Sequence, residues 1–152
     1  MTASIAARFD AELTRIRELL RDAGAVLAYL FGSVARGQER ADSDLDLAVL
    51  LDERIPEKRR GEIRLHLTTE LVGLTHTNDV DVVILNEAPP LLADRVVRTG
   101  KLILGDRPDQ VRFEIQALKR FIDTIPLRRY IEKRLLERIG SAFRPPTSDF
   151  RS

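Results

Sequence analysis

Acidic residues stand inside two apolar segments of the chain that have the character of buried strands. Asp44 and Asp46 lie two residues apart at the start of the apolar run LDLAVLL (45–51), and Asp81 lies within VDVVIL (80–85). Side chains two positions apart on a strand project from the same face, so Asp44 and Asp46 can converge on one ion. We expect Asp81 to be held near this pair across a sheet.

The ligand chemistry of these residues favours Mg²⁺. Carboxylates gathered at a partly buried site repel one another and resist ionisation unless a cation compensates. The chain has no cysteine and only two histidines, so carboxylates and other oxygens are the available ligands. Such ligands, with water and phosphate oxygens, suit Mg²⁺ better than zinc. We predict that Asp44, Asp46 and Asp81 are catalytic and bind one or two Mg²⁺ ions.

A glycine–serine pair follows another apolar run, VLAYLF (26–31), and predicts a tight turn at a strand end. Gly32 allows close approach of the backbone, and the amide groups and hydroxyl of Ser33 suit phosphate oxygens. Arg36 can neutralise phosphate charge, and Gly37 can bend the loop so that it does. We therefore predict that Gly32, Ser33, Arg36 and Gly37 bind a nucleotide.

The surrounding pattern predicts a layered α/β domain. Strands and helices alternate, but the first two strands are joined by only about a dozen residues, so this pair can be antiparallel or mixed, and the strand order stays open. The predicted strands are 26–31, 45–51, 80–85 and 102–105, and the predicted helices are 4–23, 56–75 and 90–97.

Two further helices are expected at the C-terminal end. Val111, Ile115, Leu118, Ile122 and Ile125 form one apolar stripe, and a second follows at Leu127, Ile131, Leu135 and Ile139. Packing within the domain is the simpler interpretation, and partial exposure for a partner is the alternative. We therefore divide the chain into a core over 1–105, a helical extension packed on it over 106–140, and a flexible tail over 141–152.

Composition narrows the class of protein. The chain has 152 residues, a length that suits one globular domain. Its formal net charge of +1 predicts neither strong nonspecific nucleic-acid binding nor membrane attraction. We find no apolar run approaching the roughly 20 residues that cross a bilayer. We therefore expect a cytoplasmic protein.

Several other polar residues have ordinary structural explanations. Asp79 is expected to start its strand and Asp42 to lie in a turn. His66 and His76 suit surface or capping positions on the middle helix. Lys101 is interpreted as a turn residue, with a position facing nucleotide as the alternative.

The segment FGSVARGQERADSDLDLAVL resembles the signature of the DNA polymerase β-like nucleotidyltransferase superfamily, in which a GS pair is separated by ten residues from a DxD pair. GSVARG, SDLDLAV and the third acid in DVDVVIL are similar to minimal nucleotidyltransferases, over about residues 26–105. NEAPPLLADRVVRTGKLIL and the C-terminal helices resemble antitoxins paired with HEPN-domain ribonuclease toxins. The resemblance implies an α/β (α+β) fold with a small mixed sheet flanked by helices.

The resemblance also implies a reaction and a partner. It implies that AMP is transferred from ATP, with Mg²⁺, to a tyrosine hydroxyl of a cognate HEPN toxin, which neutralises the toxin in a hetero-oligomer. Ser33 is then a phosphate ligand, and Asp81 orients or deprotonates the acceptor hydroxyl. Two alternatives remain: an antitoxin that masks the toxin by binding alone, and a nucleotidyltransferase acting on a small alcohol such as an aminoglycoside.

Overall fold

The N-terminal segment forms two helices where the sequence pattern predicts one. The computed structural model describes residues 3–139. Helix α1 spans Ile5–Ala11 and α2 spans Leu13–Asp22. They are separated at Glu12, whose N–H donates to the carbonyl of Phe9 instead of continuing the α-helical pattern. The prediction of one continuous helix is wrong because apolar spacing does not register a single residue of changed backbone conformation.

A four-stranded mixed sheet forms the centre of the domain. Strand β1 (Ala25–Phe31) is followed by the one-turn helix α3 (Gly32–Ala35) and β2 (Leu45–Leu51). A 3-10 turn (Glu57–Arg59) leads into α4 (Arg60–Thr75), which connects to β3 (Val80–Ile84). After a second 3-10 turn (Leu85–Glu87), α5 (Pro90–Thr99) leads to β4 (Lys101–Leu104).

The strand order is β3-β2-β1-β4, which settles the topology that the sequence left open. Strand β1 pairs antiparallel with β2 and β4, whereas β2 and β3 are parallel. A short loop suffices to return β2 beside β1, but a parallel neighbour needs a crossover, which α4 supplies. The mixed α/β fold is therefore as predicted.

Helices cover both faces of the sheet, which explains why β1 is apolar throughout. Ala28 and Leu30 face the core with α1, α2 and α4, while Leu27, Tyr29 and Phe31 face a second core with α5. Strands buried on both faces have near-continuous apolar sequences. The central strand is thus fixed from both sides, and its end is a rigid base for the turn that follows.

The two C-terminal helices differ in how far they pack on the core. Helix α6 (Arg107–Asp123) packs on the second core through Phe113 and Ala117, while α7 (Ile125–Ile139) has no buried residue. The apolar stripes predicted to pack inside the domain are exposed instead, except for Ile125, which is partly buried. Periodicity identified the helices correctly, but it assigned the wrong face of α6 to the core. The predicted tail over 141–152 lies outside the described residues.

Among residues 3–139, no helix combines the length and the apolar character needed to cross a bilayer.

Candidate active site

Three predicted acidic residues lie at the same end of the sheet, where β2 and β3 begin. Asp46 and Asp81 are directly paired positions of the parallel strands β2 and β3, and Asp44 immediately precedes β2. Paired residues in neighbouring strands place their side chains on the same face. Phe31, the last residue of β1, is paired with Asp46 on the other side. The strand register therefore brings the turn after β1 beside the acids.

The Gly32 backbone contacts the Asp46 carboxylate closely. Gly32 has φ +76°, a left-handed conformation that favours glycine, and a Cβ added there would overlap Oδ2 of Asp46. Glycine is thus required twice, by backbone conformation and by space. Ser33 follows in α3, half-buried at the same edge.

The end of α3 positions Arg36 and Gly37. Gly37 has φ +68°, its N–H donates to the carbonyl of Val34 (3.2 Å), and the N–H of Gln38 donates to that of Ser33 (2.9 Å). This pair of hydrogen bonds is the Schellman arrangement that ends helices at a glycine. It reverses the chain directly after Arg36, whose positive charge acts on Asp46.

The Asp46 carboxyl has an unusual protonation equilibrium. Burial, followed by repulsion from Asp81 and then from Asp44, raises its pKa from 3.8 to about 6, although Arg36 acts in the opposite direction. Asp81 and Asp44 are therefore each close enough to Asp46 to repel its carboxylate. This arrangement disfavours the ionised state of Asp46 unless positive charge is supplied.

The donor set fits a hard divalent cation held jointly by protein and ligand. Within residues 3–139, no set of three or more His, Cys, Asp or Glu side chains is arranged to hold a metal ion by itself. The carboxylates therefore concentrate negative charge at one place, but by themselves they do not form a complete set of metal ligands. Mg²⁺ is commonly bound by one or two carboxylates, with waters and substrate phosphates completing its coordination. Mutual repulsion of the acids and the adjacent phosphate-suited turn agree with that mode of binding.

One residue that supports the site was missed by sequence reasoning. Glu39, in the loop between α3 and β2, accepts hydrogen bonds from the backbone N–H groups of Ile5 (2.8 Å) and Ala6 (3.1 Å). This contact anchors the loop that carries Arg36 and Asp44 to the start of α1. An acid in a polar loop gives no local signal of this role, because its partners lie more than thirty residues away.

The remaining polar candidates occupy structural positions. The carbonyl of Asp79 accepts the N–H of Leu45 (2.9 Å), which aligns the starts of β3 and β2. His76 ends α4 in a left-handed conformation, with φ 52°. Lys101 begins β4 opposite Leu30, one residue before Phe31. Asp42 is exposed in the loop before β2, and His66 is exposed on α4.

Comparison with known proteins agrees with this geometry. Residues 14–109 match the family described as polymerase beta, nucleotidyltransferase. The chain belongs to this nucleotidyltransferase family. It is 33% identical over 109 residues to the protein adenylyltransferase MntA of Shewanella oneidensis, a match that covers 70% of this chain and 75% of that relative.

Two solved structures extend the similarity beyond the family match. A chain of a toxin–antitoxin complex with AMP-PNP has 29% identity and a TM-score of 0.71, and the match covers 82% of this chain and 98% of that one. A chain from a complex of tri-AMPylated Shewanella oneidensis HEPN toxin with MNT antitoxin has 27% identity and a TM-score of 0.67, with 84% and 98% covered. Both matches reach past residue 109, so their fold includes part of the C-terminal extension.

Proposed function

We propose that this nucleotidyltransferase is an antitoxin that transfers AMP from ATP to a tyrosine hydroxyl of a cognate HEPN ribonuclease toxin and thereby neutralises it. The observation that carries the proposal is the pairing of Asp46 with Asp81 beside the Gly32 turn, with Asp44 close enough to help raise the pKa of Asp46. The similarity to the protein adenylyltransferase MntA and to a complex with tri-AMPylated HEPN toxin supports AMP as the transferred group and a HEPN toxin as the acceptor, and the tyrosine hydroxyl is what the family resemblance implies.

The phosphate-binding side of the site is the turn after β1. In the proposal, the Gly32 backbone approaches the triphosphate, and the amide and hydroxyl of Ser33 donate hydrogen bonds to its oxygens. Arg36 adds positive charge at the same edge. Ser33 remains a phosphate ligand throughout, and no covalent intermediate forms on it.

The acidic side of the site serves the cation and the acceptor. Mg²⁺ would be held by Asp44, Asp46 and Asp81, and when bound it stabilises the negative charge that develops on the phosphates. Asp81 is exposed and lies at the start of the outer strand β3, where an approaching hydroxyl can reach it. There it orients the hydroxyl or accepts its proton as the oxygen attacks the α-phosphorus and pyrophosphate leaves.

Intact mass spectrometry tests the proposal directly. The chain is incubated with ATP, Mg²⁺ and the HEPN protein encoded beside it, and the acceptor is expected to gain the mass of one or more AMP groups. The double variant Asp44→Asn, Asp46→Asn and omission of Mg²⁺ should each abolish the gain. An authentic toxin that gains no mass with the wild-type chain would defeat the proposal.

Neutralisation without modification is distinguished in cells. If the double asparagine variant, expressed at the wild-type level, still protects against the toxin, then masking by binding is the operative mechanism. If protection is lost together with the added mass, then modification is the operative mechanism.

A further inference from the structure

An exposed apolar surface runs along the two C-terminal helices. Ten of the twelve large apolar side chains that are exposed among residues 3–139 lie there, each 41–60% accessible. A concentration of exposed apolar side chains of this kind marks an interaction site. We call it the α6–α7 surface, and it consists of Val111, Ile115, Leu118 and Ile122 on α6, and Leu127, Tyr130, Ile131, Leu135, Leu136 and Ile139 on α7.

The α6 part of this surface has the spacing of a helix-pairing seam. Val111, Ile115, Leu118 and Ile122 follow one another at intervals of four, three and four residues, and Ile125 continues the pattern. A mean repeat of 3.5 residues is the pattern that packs one helix against another in coiled coils. The spacing therefore indicates a helical occupant.

Helix α6 is held firmly enough to present this seam. Its inner face buries Phe113 and Ala117, and the hydroxyl of the buried Tyr29 donates a hydrogen bond to Glu114 (3.1 Å). Helix α7 is linked to α6 by Arg128, whose guanidinium lies 4.5 Å from the centre of the Phe121 ring. The outward face is thus a pre-formed feature of the fold, which lowers the ordering cost of binding.

The net charge of α6 and α7 favours one kind of partner for this surface over another. Residues 107–139 contain nine Arg or Lys and five Asp or Glu, a net charge of +4, so the rest of the chain carries −3. An isologous contact between two copies would place the same basic surface against itself, which like-charge repulsion opposes. A partner with acidic residues flanking its apolar contacts is complementary.

A membrane surface is a poorer match than a protein. A helix that lies on a bilayer has one apolar face and one polar face. On α7, Leu127, Ile131 and Leu136 are spread over about half of the helix circumference, and basic and acidic residues lie between them. Such a helix cannot bury its apolar residues in a planar interface without burying charges as well.

Helix α6 lies near the end of the sheet that is remote from the acids. On the flank of α6, Arg112 and Gln116 line a cavity with Leu51 and Asn86, at the end of β2 and just beyond β3. Asp44 and Asp46 lie at the other end of β2, roughly 20 Å away for a seven-residue strand. A partner bound along α6 is therefore held away from the reacting groups.

We propose that the α6–α7 surface is a docking site for an acidic helical face of the acceptor protein, separate from the hydroxyl that is modified. This inference rests on the proposed function, because its partner is the acceptor of that reaction. Docking at a distance raises the effective concentration of the hydroxyl at the active site. It also lets binding and chemistry be separated by substitution.

The test compares two substrates and two matched variants. The variant Ile115→Gln, Leu118→Gln, Ile122→Gln removes the seam. The control is Leu65→Gln, Leu91→Gln, because these residues are at least half exposed but lie elsewhere. Each protein is assayed for binding to the intact HEPN acceptor and for AMP transfer to that acceptor and to a short peptide carrying its acceptor tyrosine. Melting curves check that both variants are folded.

The seam variant should bind the intact acceptor roughly 100-fold more weakly, as when central interface residues are lost, and should label it correspondingly slowly. Its transfer to the peptide should equal that of wild type, and the control should match wild type throughout. Binding should also weaken as salt is raised.

Unchanged binding of the intact acceptor by the folded seam variant would overturn the inference. The inference would also be overturned if sedimentation of the chain alone showed a dimer for wild type and a monomer for the seam variant. If wild type labels neither substrate but binds the acceptor through the seam, the docking site stands and the proposed reaction fails.

Discussion

Replacing Asp46 with asparagine is expected to stabilise the protein without metal while it abolishes nucleotidyl transfer. Burial and the neighbouring Asp81 and Asp44 raise the pKa of Asp46 to about 6. At neutral pH the wild-type chain therefore carries an ionised carboxylate in an unfavourable place. Asparagine has nearly the same shape and carries no charge, so it removes this cost together with the metal ligand.

The expected magnitude follows from the change in pKa. The difference between 3.8 and about 6 corresponds to roughly 3 kcal/mol at about 1.4 kcal/mol per pKa unit. Because Asp46 is only partly buried, solvent screening reduces this to about 1.5 kcal/mol. For a domain of this size the variant should melt about 3–6 °C above wild type.

The pH dependence has a definite sign. The folded-state pKa of Asp46 lies above its unfolded value, so the destabilisation is absent below pH about 4 and fully present above pH about 6. The stabilising effect of the asparagine should therefore be clear at pH 7.5 and should fall toward zero as the pH approaches 4.

Chemical denaturation in EDTA at several pH values measures this effect. Asp52→Asn is the matched control, because hydrogen bonds from Arg54 lower the pKa of Asp52 to about 2 and its neutralisation should not stabilise the protein. Addition of Mg²⁺ and ATP should then stabilise wild type but not the Asp46 variant. An Asp46→Asn protein no more stable than wild type at pH 7.5 would refute the proposed crowding of carboxylates.

Three further substitutions test the support of the site. Gly32→Ala should reduce AMP transfer at least 100-fold, because the alanine Cβ would overlap the Asp46 carboxylate and the backbone at this position is left-handed. Transfer kinetics at the wild-type rate would contradict this. Glu39→Ala should cost about 1 kcal/mol of unfolding free energy through two lost hydrogen bonds to the start of α1, measured by denaturation, and should slow transfer more than Tyr29→Phe does. Tyr29→Phe loses one hydrogen bond to Glu114 and should cost about 1 kcal/mol with unchanged transfer, so a loss of activity would count against its purely structural role.

Much of the architecture could be predicted from local pattern. The apolar run at 45–51 matches β2 residue for residue, and the runs at 26–31 and 80–85 locate β1 and β3 to within one residue. Strand β1 is buried on both faces and is apolar throughout, and β2 and β3 are apolar except for Asp46 and Asp81. The break between α1 and α2 at Glu12 was not predicted, because one residue of changed backbone conformation leaves the apolar spacing nearly intact.

The face of α6 that packs on the core could not be predicted from the sequence pattern. Helical spacing selects Val111, Ile115, Leu118 and Ile122 as an apolar face, and the structure exposes it while Phe113 and Ala117 are buried. Both faces of α6 contain apolar residues. Which of them meets β1 and α5 depends on how the helix is anchored, for example by Tyr29, and not on the helix sequence alone.

The sequence by itself determined the chemical types and spacing of the Gly32, Ser33, Asp44 and Asp46 group, because two strand ends and a short loop are local features of the chain. Only the tertiary structure decided that Asp81 is paired with Asp46, since strand order depends on hydrogen bonding between segments 35 positions apart. It also decided the raised pKa of Asp46, because burial and the proximity of charges exist only after the sheet has formed.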